Sequence, residues 1–365
     1  MLIVDGHLDL AWNALQWNRD ITLDVPALRA QPGVEVRVVA GQRMRGRIVP
    51  TVGLPAMVRG RVGLCFATLL ARSTGKPVPH LDYSSPLQAA AVAGGQLAYY
   101  RALAARGLLR MIRIVRELNE HVAAWESFDR RPGPGDPPAV GFILAAEGAD
   151  FVIDPGALRD WHGAGLRALS LSHFGNGRYA GGTGSRAGVS KAGLALLRAM
   201  RKLGMILDVS HLSDRAFRQA LDHWQGPVMA SHNNCRALVP GVRQFSDAQV
   251  RELVRRNGVI GAVFDAWMLV PGWERGRKSN PRATMQAVAD HIDHVCQLAG
   301  DARHAAIGSD LDGGFGKEQS PADLDTIADL PRLGGILRKR GYPDADVAAI
   351  FHGNWLALLR RSLAR

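Results

Sequence analysis

Eight apolar runs, each closing on a polar or glycine-containing segment, constrain this chain more than any other feature. They are Leu2–Val4, Arg61–Leu70, Gly141–Glu147, Leu166–His173, Met205–His211, Pro227–His232, Val259–Phe264 and His304–Asp310. None shows the apolar/polar alternation of a strand with one wet face, so each reads as a strand buried on both sides. Between them lie stretches with helical apolar spacing: 86–106, 111–126, near 155–163, 190–203, a helix from Ser213-Asp214 with Ser213 as N-cap, Ser246 to Asn257 closed by Gly258, and about 283–299. Strands alternating with helices imply a parallel sheet under helices, and eight of them imply an α/β (β/α)8 TIM barrel. After the first strand, where Asp5-Gly6 reads as a stop, residues 11–60 form a long excursion over the barrel mouth. It is rich in Pro, Gly and Arg, with a short hairpin expected around Val34–Val39. No repeat or second domain is visible, so residues 1–365 are expected to form one domain.

The ends of these runs carry the chemistry. His7 and Asp9 follow the first, Glu147 the third, His173 the fourth, His211 the fifth, His232 the sixth and Asp310 the eighth. In such a barrel every C-terminal strand end faces one mouth, where active sites lie. Seven ionisable groups gathered there would be costly without a compensating cation. A single His after an apolar run is more often a satisfied loop residue. His80, His121 and His223 get that reading, as do His291 and His294, which are expected at the surface. Cys235, three residues past His232, reads as a free buried thiol rather than a ligand. For the strand-end set the bland reading fails jointly, because accidents would not keep selecting one end of six strands.

Composition removes several classes. No run of eighteen apolar residues is present, so no membrane span is expected. The start lacks a basic region, apolar stretch and cleavage site, and Cys65, Cys235 and Cys296 form no disulfide framework; a cytoplasmic location is therefore expected. The net charge of +12 invites a nucleic-acid reading. The basic residues are mostly scattered arginines without interleaved aromatics, so no nucleic-acid partner is expected.

The motifs Val4-Asp-Gly-His-Leu-Asp9, Glu147-Gly148, Leu169-Ser-Leu-Ser-His173, Leu207-Asp-Val-Ser-His211, Ser231-His232, Gly241-Val-Arg243 and Gly308-Ser-Asp-Leu-Asp-Gly313 resemble the membrane (renal) dipeptidase family of the amidohydrolase superfamily. The resemblance runs from residue 2 to Gly353-Asn-Trp355. It implies a binuclear zinc dipeptidase with two Zn2+ per chain, a dipeptide as substrate and a homodimer, in a soluble bacterial-type member. By position, His7 and Asp9 resemble the ligands of one zinc, His211 and His232 those of the other, and Glu147 the bridging carboxylate. Asp310 matches the residue beside the bridging water or hydroxide, close enough to count with the metal set, where it shuttles a proton. His173 matches the histidine that binds the scissile carbonyl, and Arg243, eleven residues after His232, the arginine that binds the free carboxylate. The loop after His173 reads Asn176-Gly-Arg-Tyr179, where the family often has an acidic residue; Asn176 and Tyr179 are the expected side-chain contacts there. The competing reading is another reaction on the same metal pair, hydrolysis of an N-acyl amino acid, a cyclic amide or a lactone.

Overall fold

The structure, a computed structural model, describes residues 1–31, 38–39, 42–43, 49–130, 137–277 and 279–364. Its strands are β1 (Ile3–Leu8), β2 (Val38–Val39), β3 (Gln42–Arg43), β4 (Val62–Leu69), β5 (Leu109–Met111), β6 (Val140–Ala146), β7 (Leu166–Ser170), β8 (Ile206–Asp208), β9 (Val228–Ala230), β10 (Val259–Ala262) and β11 (Ala305–Ile307). All eight expected runs are strands, and they pair in parallel in the order β1-β4-β6-β7-β8-β9-β10-β11. Every residue of β1, β4 and β6 is buried, as a sheet covered on both faces requires.

The β1–β11 seam is closed largely by side chain. Asp5, inside β1, accepts hydrogen bonds from Ser309 N at 2.8 Å and Ser309 Oγ at 2.5 Å, and Asp310 N donates to His7 O at 3.2 Å. The result is a nearly closed eight-stranded parallel barrel. Gly6 does not end the first strand as expected. The strand runs on to Leu8, and Gly6 is needed because a Cβ there would lie 2.5 Å from the Trp355 ring, which packs against this side of the barrel. One extra β1 residue stands opposite β4 between Asp5 and Leu8, a bulge that aims His7 into the mouth.

The helices follow local signals. Ser190, Ser213 and Ser246 cap helices Lys191–Lys202, Asp214–Asp222 and Asp247–Arg255, the last through a reciprocal box with Gln249. Beyond its C-cap Arg256 the chain turns at Asn257, which takes the left-handed conformation (φ 54°), rather than at the expected Gly258. A helix expected from residue 111 begins instead at Val115, and Leu109–Met111 forms β5 beside the start of β6. In the excursion Val38–Val39 pairs antiparallel with Gln42–Arg43; of the hairpin expected around Val34–Val39, residues 34–37 lie outside the described residues. Among the described residues no helix is long and apolar enough to cross a membrane.

Candidate metal centre

Glu147, immediately after β6, occupies the middle of the mouth. Its Oε1 lies 2.9 Å from His211 Nε2, 3.3 Å from His232 Nε2, 3.5 Å from His173 Nε2 and 3.7 Å from His7 Nε2. His7 Nε2 is also 3.6 Å from Asp9 Oδ1 and 3.9 Å from Asp310 Oδ1. The seven strand-end residues expected to converge are therefore brought together. Donor atoms within 4.8 Å of one another group as His7-Glu147-His232, Glu147-His173-His211 and His7-Asp9-Asp310, with Glu147 and His7 each belonging to two groups.

The surroundings hold the imidazoles with Nε2 forward. His7 Nδ1 and His232 Nδ1 both lie against Ser231 Oγ, at 3.2 and 2.8 Å, and Ser231 Oγ is 3.1 Å from Ser210 Oγ. Ser210 Oγ donates to Asp208 Oδ1 at 2.6 Å. One proton arrangement satisfies this chain: both Nδ1–H groups donate to Ser231, Ser231 donates to Ser210, and Ser210 donates to the Asp208 carboxylate. His211 Nδ1 meets Thr183 Oγ1 at 3.0 Å, and Thr68 Oγ1 donates to Asp9 Oδ1. Oriented this way, each Nε2 faces Glu147, the side from which a cation would meet its lone pair.

Electrostatics agree with a cation site. Burial raises Glu147, and the Asp9 charge adds to it, to about 8. Burial, reinforced by Glu147 and Asp9, pushes Asp310 well above the usual carboxylate range. Burial alone would lower His7, yet the charges of Glu147, Asp9 and Asp310 lift it to about 10. His211 and His232 are pushed well down, by burial first and then by cations including Arg243, and so stay neutral donors. Carboxylates this crowded, with buried His7 Nε2 lacking any hydrogen-bond partner, fit divalent cations better than each other. The mixed imidazole and carboxylate donors suit zinc-type chemistry.

The cavity above this cluster has a volume of about 490 Å³ and is lined by Asp9, Glu147, His173, His211, Arg243 and Asp310 among others. Arg243 is buried beside it, but its guanidinium is not the open fork expected. Nη1 donates to Ser210 O at 2.9 Å and Asn233 Oδ1 at 2.5 Å; Nη2 donates to His232 O at 2.9 Å and faces His211 Nε2 at 3.2 Å. What it offers a ligand is charge and the Nη2 hydrogen that His211 would release on turning its lone pair to a cation.

Asn176 and Tyr179 are not brought to the cavity. Asn176 is exposed and accepts from Ser185 Oγ. Tyr179 is fully buried, with its hydroxyl donating to Val152 O, because the loop folds back on itself through Asn176–Gly181 and Ala180–Val189 bridges. His291 is not at the surface either: it is buried and its Nδ1 accepts from Cys235 N at 3.1 Å. Cys235 is a free buried thiol, as expected.

Sequence reasoning missed the contributions of the second and seventh strands. Arg72, just beyond β4, and Asp265, just beyond β10, also line the cavity. Asp265 accepts from Gln319 Nε2 at 2.7 Å and Trp267 Nε1 at 2.6 Å, and burial pushes it up to about 6 against those bonds and Arg275. The signal was the one used elsewhere, since Asp265 directly follows the run Val259–Phe264. Trp12, from helix Leu10–Gln16, and Trp267 and Trp273, both from the connection after β10, supply part of the apolar wall.

A barrel mouth with this donor cluster defines a candidate metal centre. The sequence profile of the membrane dipeptidases (peptidase family M19) matches residues 1–364. Dipeptidase AC, a solved metallo peptidase of family M19, is 26% identical with a TM-score of 0.75, covering 100% of this chain and 99% of that one. A metallo peptidase from Rhodobacter sphaeroides, solved with a phosphinate mimic of the dipeptide L-Ala-D-Ala, is 25% identical, with a TM-score of 0.75 and 99% of each chain covered. Dipeptidase tcpJ of Claviceps purpurea (strain 20.1) is 33% identical over 223 residues, 60% of this chain and 50% of that protein. The chain spans about half the length of several curated relatives it matches. It belongs to the membrane dipeptidase family, peptidase family M19.

Proposed function

We propose that residues 1–365 form one metal-dependent domain that hydrolyses dipeptides with two zinc ions per chain, working as a homodimer. The observation that carries this reading is Glu147, one carboxylate oxygen within 2.9–3.7 Å of four imidazole nitrogens. His7 and Asp9 would hold one ion, His211 and His232 the other, with Glu147 between them and Asp310 at the edge of the set. The ions would supply Lewis acidity, activating a water and polarising the scissile carbonyl. His173, which lines the cavity, would donate to the carbonyl oxygen as charge develops on it. Asp310, in the donor group with His7 and Asp9 and on the cavity wall, would take a proton from the water and return it to the leaving amine. The bound L-Ala-D-Ala mimic in the Rhodobacter sphaeroides protein supports a dipeptide substrate with a D-residue tolerated at its C-terminal position.

Arg243 would pair with the dipeptide's free carboxylate. Its buried bonds to Ser210, Asn233 and His232 give it a structural role as well, so loss of activity alone decides nothing. The ratio between substrates decides. Arg243→Met should lower kcat/KM for a dipeptide by about ten- to hundredfold more than for the matching dipeptide amide, the worth of a hydrogen bond to a charged group. Equal losses on both would reduce Arg243 to scaffolding and remove the specificity part of this reading. Turnover confined to N-acyl amino acids, cyclic amides or lactones would replace the dipeptide itself.

A further inference from the structure

The two ends of the excursion between β1 and β4 meet at one buried residue, Asp312, two positions beyond Asp310. From the first end, helix Leu10–Gln16 brings Asn13, whose Nδ2 donates to Asp9 O at 3.0 Å and to Asp312 O at 2.8 Å. Arg19 follows, with Nη1 donating to Asn13 Oδ1 at 2.9 Å and lying 3.3 Å from Asp312 Oδ2. From the second end, Thr51 N, Thr51 Oγ1 and Val52 N all donate to the Asp312 carboxylate, at 2.8–3.1 Å. Asn13, Arg19, Thr51 and Asp312 are each under 5% exposed. The turn they grip has both Asp310 (φ 57°) and Asp312 (φ 65°) in the left-handed region, a conformation that persists only where the surroundings over-determine it. Within it, a Cβ on Gly313 would fall 1.7 Å from Asp310 Oδ1, so the Asp310 carboxylate lies folded back over that glycine.

We infer that the two ends of the excursion form a brace for Asp310, with Arg19 and Asp312 as its positioning residues. A buried ion pair stabilises a fold little better than apolar packing of the same volume. This one joins three chain segments at the turn that aims a carboxylate, and its Asn13 link also ties that turn to Asp9. Misplacing a reacting group by about 1 Å can cost roughly a hundredfold in rate without touching the chemistry itself. Arg19 and Asp312 act through where Asp310 points.

The inference rests on the proton role given to Asp310, and the test keeps the two apart. Arg19→Met, Asp310→Asn and the double variant are compared in metal content, melting temperature, kcat and KM on one dipeptide. Arg19→Met should keep wild-type metal content and a KM within about twofold, while kcat falls by about ten- to hundredfold. The double variant should be no slower than Asp310→Asn alone, because the brace has nothing left to aim. If Arg19→Met does not fold, Thr51→Val removes one hydroxyl bond to Asp312 and should show the same pattern at a smaller, several-fold loss in kcat. Metal-loaded Arg19→Met turning over like wild type, a kcat loss that only tracks lost metal, or multiplicative losses in the double variant would each overturn the brace. Normal turnover by Asp310→Asn would overturn the proton role first, and the brace with it.

Discussion

Asp310→Asn is expected to lose about 10²–10⁴ in kcat, the contribution of a positioned acid–base group, while keeping its fold and most of its metal. The fold should survive because Asn, like Asp, is among the side chains best tolerated at positive φ, and Asp310 sits at φ 57°. Its backbone anchors, His7 O and Gly313 N, are untouched by the change. The amide occupies the same volume above Gly313 but cannot take up and return a proton. Steady-state kinetics alongside metal analysis checks this. Near-normal turnover in the metal-loaded variant would transfer the proton role elsewhere, with Asp265 the next buried carboxylate in the cavity.

Glu147→Gln should fail earlier, at assembly. Its Oε1 lies within 3.5 Å of three of the candidate nitrogen donors, and its negative charge would serve both halves of the cluster. Gln keeps the shape and loses the charge, so affinity should drop at both sites together. The loss should exceed the roughly 10–100-fold that removal of an outer partner costs. A calorimetric metal titration in which one site weakens and the other stays intact would show that Glu147 serves a single ion.

The barrel was legible because strands buried on both faces leave continuous apolar runs, and the centre because its residues sit at the ends of those runs. Val259–Phe264 lacked an assigned group only because Asp265 stands one residue beyond it. What the sequence hid are contacts made at long separation. Leu109–Met111 lies beside helix-like spacing and becomes a strand only because β6 offers an edge. Asp5-Gly6 has the composition of a turn, yet Ser309 and Trp355, some 300 residues away, keep it extended. His291 shares a helical face with His294, yet the Cys235 backbone packs on the buried His291 ring while the partly buried His294 pairs with Asp247. Arg243 was readable as a cation near the mouth, but its bonds to Ser210, His232 and Asn233 were not. Tyr179 was read as a loop residue facing substrate and is instead the buried anchor of that loop.

The central claim is that two ions, shared through Glu147, carry dipeptide hydrolysis. It is tested most directly by stripping the protein with a chelator, returning Zn2+ in measured equivalents and following dipeptide turnover at each step. The stripped protein should be inactive, and activity should climb to a plateau that breaks at two equivalents per chain. Full turnover at one equivalent, or in the stripped protein, would contradict it.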